Sequence, residues 1–212
     1  MVKVPGGYCI DSPEVPRDQY LAWLASNPST SDQPSYCSWN TDFVPGEPIN
    51  PVGGDRPITL VDWCDARGYC MAVGKRLCGK IGGGTCDWDD VANATASQWY
   101  NACSSGGKHL YPYGDVYHPN GCNGDDNVAS SAEPAAVAAF PDCVSDETSY
   151  AGVYDLSGNV DEWEDSCESD TGANDYCRIR GGSCRDEQAA LTCGIDTFQS
   201  RYRQHPKVGF RC

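Results

Sequence analysis

The sequence predicts a single α+β domain, rich in irregular loops and held together by disulfides. Three observations carry that expectation. Fourteen cysteines run from Cys9 to Cys212, an even number, with no paired CxxC or CxxH unit among them. Zinc sites announce themselves through such pairs, so the pattern reads as a disulfide framework made in an oxidising compartment. Helical periodicity is confined to the first half, and short strand-like runs to the second. Finally, 23 glycines and 14 prolines punctuate the chain too often for a helical bundle or a doubly wound sheet. A hydrophobic fraction of 40% is too high for disorder.

Taken in order, Pro16 to Ala25 opens with a proline suited to a first helical turn and places Tyr20, Trp23 and Leu24 on one face. A second helix is expected from Asp62 to Val73, with Thr59 and Asp62 as a capping-box signature and Gly74 as its stop. A third is expected from Asp87 to just before Gly106-Gly107, its N-terminus favoured by Asp89 and Asp90. The sequon Asn93-Ala94-Thr95 falls inside that helix, where it reads as chance rather than as a glycan site. Beyond Tyr111, short runs such as Arg178-Ile179-Arg180 and Val208-Gly209-Phe210 read as strands between Gly, Asn, Asp and Ser clusters. Ala129 to Ala139 reads as an alanine-rich surface loop. No internal repeat or domain boundary interrupts residues 1–212.

Fifteen Lys and Arg against 30 Asp and Glu leave a net charge of −15. Nucleic acid and anionic membrane surfaces are poor partners for such a field, and cations are better ones. A solvated acidic surface accounts for the bulk charge equally well. No stretch approaches the roughly 20 apolar residues of a membrane span. Met1 to Gly7 lacks the apolar core of a signal peptide, so an extracytoplasmic location implies a mature form or a domain cut from a longer precursor.

The most informative stretch is Gly152-Val153-Tyr154-Asp155-Leu156-Ser157-Gly158-Asn159-Val160-Asp161-Glu162-Trp163. Its Ser-Gly-Asn turn exposes carbonyl oxygens with a carboxylate close behind, an arrangement that suits Ca²⁺. The segment resembles the G-L-Y-D-M-S-G-N-V-W-E-W signature of the formylglycine-generating enzyme family, the sulfatase-modifying-factor domain. Other landmarks follow in family order: Val4-Pro5-Gly6-Gly7, Ile10-Asp11 with Glu14-Val15, Val61 to Ala66, Tyr69-Cys70, Gly74 to Leu77, Tyr111-Pro112-Tyr113-Gly114, Arg180-Gly181-Gly182-Ser183 and Val208-Gly209-Phe210-Arg211-Cys212. The resemblance implies a compact α+β fold related to C-type lectins, with low regular secondary structure. It also implies disulfides Cys70–Cys212 and Cys103–Cys193, each closing a long loop and stabilising by about 4–5 kcal/mol on an entropic account. Proximity suggests Cys78–Cys86, Cys122–Cys143 and Cys167–Cys177, leaving Cys9, Cys37, Cys64 and Cys184.

Enzymes of that family hold copper on two cysteines, three and eight residues after the Ser of the RGGS-like motif. Counted without a gap, those positions fall on Asp186 and Leu191 here, but the segment from Cys184 to Cys193 is shorter than in the enzymes, so the local match contains a gap. Copper needs two soft thiolates, and neither residue supplies one, so no copper and no catalytic residue are expected. A displaced pair, Cys184 with Cys193, would restore a copper-dependent oxidase. Iron chemistry would need clustered histidines, whereas His109, His118 and His205 are scattered. Gly82-Gly83-Gly84 lacks the Lys-Ser/Thr of a phosphate loop and reads as a turn.

What the resemblance leaves is structural calcium. One set comprises the Ser157, Gly158 and Val160 backbone with the Glu162 carboxylate, and the other Asn123-Gly124 with Asp125 or Asp126. The favoured reading is a non-catalytic binding or structural module. Its ligand surface is expected on Cys184 to Lys207, where Phe198, Arg201, Tyr202, Arg203 and His205 form an aromatic and basic cluster. A protein or glycan ligand, or self-assembly into an extracellular structure, fits that reading.

Overall fold

The computed structural model describes residues 1–46 and 53–212. Its N-terminus is a hairpin of β1 (Val2–Val4) and β2 (Tyr8–Ile10). Helix α1 (Arg17–Leu24) and a 3₁₀ turn (Ser35–Cys37) lead to α2 (Trp63–Ala72) and α3 (Gln98–Cys103). The main sheet is formed by β3 (Asp161–Cys167), β4 (Tyr176–Arg180), β5 (Thr197–Ser200) and β6 (Val208–Phe210), in the order β5-β4-β3-β6. Only the β3–β6 pairing is parallel. Gly209 lets β6 pass close to Ile58, because a Cβ there would stand 2.6 Å from the Ile58 carbonyl oxygen.

Two buried clusters fill the interior. One packs Tyr20, Trp63, Tyr69, Trp163 and Phe210 between α1, α2 and the sheet. The other gathers Val4, Ile10, Trp99, Val153 and Leu156 between the hairpin and α3. Each buried indole finds an acceptor, as an N–H removed from water requires. Trp63 donates to the Glu164 carbonyl at 2.9 Å, Trp163 to that of Val61 at 3.0 Å, and Trp99 to the Glu162 carboxylate at 2.9 Å.

Arg211 ties the ends of the chain to this core. Its guanidinium donates to both Glu162 carboxylate oxygens (2.6 and 2.5 Å) and to the carbonyls of Asp11 (3.2 Å), Ser12 (3.0 Å) and Tyr154 (2.8 Å). Both side chains of the ion pair are essentially sealed from solvent, at 0% and 1% exposure.

Five disulfides form: Cys37–Cys64, Cys70–Cys212, Cys103–Cys193, Cys122–Cys143 and Cys167–Cys177. The expected Cys78–Cys86 bond does not. Cys9, Cys78, Cys86 and Cys184 are the unpaired thiols among the described residues.

The helices depart from expectation at their N-termini. Asp62, not Thr59, caps α2: its side chain accepts from Asp65 N–H while the Asp65 carboxylate accepts from Asp62 N–H, closing a capping box. The third helix starts at Gln98 rather than Asp87, capped by the Ser97 hydroxyl, which accepts from Tyr100 N–H at 3.0 Å. Asp87 and Asn93 instead capture the nearby N–H groups of Asp89 and Thr95, holding that stretch in turns. Asn93-Ala94-Thr95 therefore lies on a turn with Asn93 exposed, not in a helix.

Two predictions follow from these buried charges. Arg211→Met leaves Glu162 buried and unpaired, which costs about 3–5 kcal/mol; denaturant unfolding should show a loss of that size. Burial raises the Asp62 carboxyl to about 7, against the opposing hydrogen bonds from the Asp65 and Cys64 N–H groups. Its unfolded value is about 3.9. The stabilisation it contributes is therefore complete below the unfolded value and lost as pH rises through the folded one. The melting temperature should climb between pH 8 and pH 5, and Asp62→Asn should flatten that dependence.

Candidate functional site

The end of β4 carries the chain into Gly181-Gly182-Ser183. A Cβ on Gly182 would meet the Ala190 carbonyl oxygen at 2.7 Å, so this turn closes against residues 190–191 only with glycine. Ser183 then directs its hydroxyl and its N–H (2.9 Å) to the Asp186 carboxylate. Asp186, Asp161 and Asp196 line one cleft of about 350 Å³, with Thr197, Phe198 and Gln199 along one side. Burial, reinforced by the Asp186 charge and opposed by Lys207, raises the Asp161 carboxyl to about 8.

No thiolate pair enters this cleft. The Leu191 side chain is buried at 2% exposure, and Cys193 is bonded to Cys103. That bond removes the displaced copper pair, since Cys184 remains a single buried thiol that burial raises to about 11. Among the described residues, no three His, Cys, Asp or Glu side chains converge as a metal-binding group.

The two loops singled out for calcium meet each other. Asn159, at φ 62°, donates its N–H to the Asn123 carbonyl (2.9 Å), and its side-chain oxygen accepts from Asn123 Nδ2 at 2.9 Å. Asn159 Nδ2 continues the seam to Glu14 Oε1, also at 2.9 Å. Gly158 N–H is bonded to the Gly181 carbonyl and the Ser157 hydroxyl to that of Leu191, while Val160 is fully buried. Glu162 does not fit as a calcium ligand, because Arg211 and Trp99 occupy both of its oxygens. In the second set, Gly124 is buried beside Asn123, Asp125 is exposed, and Asp126 accepts from the Tyr117 hydroxyl at 2.5 Å. Asn123 fits better: its Oδ1 is buried without a donor, as is Glu14 Oε2. Glu14 is the residue that sequence reasoning missed. Burial, then the neighbouring Asp155 charge, pushes its carboxyl well above the ordinary range.

The expected ligand surface divides. Phe198, Tyr202 and Arg203 are exposed and His205 is half-buried. Arg201 is not on the surface at all. Its guanidinium is 0% exposed, pairs with Asp175 and Asp170 at 3.0 Å each, and lies 4.5 Å over the Tyr36 ring and 5.1 Å over Trp63. Phe198 is joined instead by Tyr176 (ring centroids 4.9 Å apart) and Trp88 (5.8 Å), an aromatic ridge beside the acidic cleft. Tyr176 was not legible from alternation, since it shares a face of β4 with the buried Arg178 and is exposed only at the strand's end.

The chain is 32% identical over 185 residues to the inactive C-alpha-formylglycine-generating enzyme 2 of Bos taurus, covering 78% of this chain. It spans 54% of that relative's length, and a similar share of the Mus musculus counterpart. Among solved structures, PvdO from Pseudomonas aeruginosa superposes with a TM-score of 0.67 at 18% identity, covering 95% of this chain and 78% of that one. Treponema denticola variable protein 1 gives 0.57 at 17% identity, with 95% and 82% covered. These structural likenesses establish the low-regularity α+β fold. The match to the family described as Sulfatase-modifying factor enzyme 1-like domain runs over residues 1–212, and the chain belongs to that family.

Proposed function

We propose that this chain is a non-catalytic, extracytoplasmic binding module that takes basic segments of a protein partner at the acidic cleft and its aromatic ridge. The observation that carries this reading is Asp186, a hard carboxylate anchored by Ser183 in the turn after Gly182, where a gap-free count along the family's motif would place a copper thiolate. The Asp186 and Asp196 carboxylates on the cleft favour Lys and Arg side chains over anionic ones, and the raised Asp161 carboxyl adds its charge only above about pH 8. Phe198 and Tyr176, 46% and 43% exposed, supply aromatic anchors at its edge. Five disulfides support an oxidising compartment. No helix of the described residues is long and apolar enough to cross a membrane.

Calcium is part of the proposal in revised form: Asn123 and Glu14 offer the unpartnered oxygens, and Glu162 does not. A bound Ca²⁺ would supply charge to a seam that otherwise buries carboxylates. Its role here is structural, so no chemical step depends on it.

Three measurements test this reading. Titration with Cu(I) against a competing chelator should give no stoichiometric complex, and a cysteine-containing peptide should remain unoxidised; stoichiometric binding with peptide oxidation would return the chain to the enzymes. Lys- and Arg-rich peptides should bind with salt-sensitive affinity while acidic ones do not, and Asp196→Asn with Phe198→Ala should weaken binding about tenfold or more. Equal binding of acidic peptides would remove the cleft from the account. Calcium should raise the melting temperature and a chelator lower it; a melt indifferent to both would remove calcium.

A further inference from the structure

Two of the four unpaired cysteines come to the same place from distant parts of the sequence. Cys9 is exposed at the middle of β2, and Cys78 is buried just after the Gly74 to Leu77 segment. Residues 6–11 run antiparallel to residues 75–81. At one end Lys75 Nζ lies 2.6 Å from Asp11 Oδ1. At the other, a Cβ built on Gly6 would stand 3.5 Å from Ile81 Cδ1. Counting inward from the Gly6–Ile81 end sets Cys9 opposite Cys78, and from the Lys75–Asp11 end opposite Leu77, so the two cysteines lie within one residue of register.

The flanking residues agree. The Tyr8 hydroxyl donates to the Gln98 carbonyl at 2.6 Å, while Gly79 N–H donates to the Gln98 side-chain oxygen at 3.1 Å. The residue before Cys9 and the residue after Cys78 are thus held by one partner. Both residues also line a single cavity of about 460 Å³, together with Lys75 and Arg76. Cys86 is not among that cavity's walls and is held near Arg178 and Arg180 instead.

We propose that Cys9 and Cys78 form a redox pair that closes a sixth disulfide when the protein meets a small disulfide oxidant. The exposed Cys9, as thiolate, attacks one sulfur of an oxidant such as glutathione disulfide, giving a mixed disulfide and releasing one thiol. Cys78 then gives up its proton and displaces the second thiol from Cys9, forming the Cys9–Cys78 bond. The oxidant takes up two electrons and leaves as two thiols, which carry away the two cysteine protons. Order matters, because burial raises the Cys78 thiol and makes it the poorer first nucleophile. Once closed, the bond fastens the N-terminal hairpin to the segment leading into α3.

The test uses the intact chain, equilibrated with glutathione disulfide, then denatured and alkylated without reductant. Two alkylated cysteines are expected, Cys86 and Cys184, and digestion with trypsin should yield Val4–Arg17 linked to Leu77–Lys80. Cys9→Ser should raise the count to three by stranding buried Cys78, whereas Cys78→Ser should leave Cys9 capped by glutathione, seen as that added mass on Val4–Arg17. Four alkylated cysteines in the parent protein would overturn the proposal. So would Leu77–Lys80 linked to the peptide that carries Cys86, or the Cys9→Ser variant still showing two. None of these readouts depends on the binding role of the acidic cleft.

Discussion

The buried pair of Arg211 and Glu162 is the interaction on which the rest of the fold depends. A guanidinium out of water is tolerable only when its donors are taken, and here both Glu162 oxygens and three backbone carbonyls take them. Those partners come from the first residues after the hairpin, from the loop before β3 and from β3 itself. One side chain thereby fixes where the chain's start, middle and end meet. Cys70–Cys212 fastens the same terminus to α2. The covalent bond limits how far the end can stray, and the ion pair decides where it sits.

This device recurs. Arg178, Arg180 and Arg201 are also almost fully buried, each against an aromatic face: Arg178 4.4 Å over Trp88, Arg180 4.9 Å over Trp99, and Arg201 over Tyr36 and Trp63. A weakly hydrated planar cation stacks on aromatic rings at lower desolvation cost than an ammonium would. With so little helix and strand, the chain leaves many loop carbonyls without backbone partners, and these arginines take up several. Arg180 donates to the carbonyls of Val91 and Cys193, and Arg201 to that of Ser169. Irregular backbone is stable here because cations inside the protein satisfy it.

How much of this was legible follows the range of the interactions. Helices α1 and α2 were visible because their periodicity is local. Cys122–Cys143 and Cys167–Cys177 join neighbours in sequence, while Cys70–Cys212 and Cys103–Cys193 came through the family resemblance. The start of α3 was misread because Asp87 and Asn93 spend their side chains on nearby N–H groups, which acidic residues ahead of a helix also promise to do. Glu162 reads as a calcium ligand in sequence because nothing in spacing links residue 162 to Arg211, which takes both of its oxygens in the fold. Arg201 was placed on the surface for the same reason: its partners Asp170 and Asp175 are some thirty residues away. In each case what a charged side chain faces is decided by the tertiary fold alone.

The cleft shows what remains of a catalytic scaffold once its soft ligands are absent. Two thiolates would have needed a metal to justify their convergence, whereas Asp186 is satisfied by Ser183 within its own turn. The turn in turn closes on Ala190 through Gly182, and Leu191 fills space beside Gly124. Every part of the motif therefore has a structural partner without any ion. A site complete in this way has no strain for a cofactor to relieve, but it retains its opening, its carboxylates and its aromatic edge. Those are the properties on which the proposed recognition would rest, and none of the contacts that hold them depends on a metal.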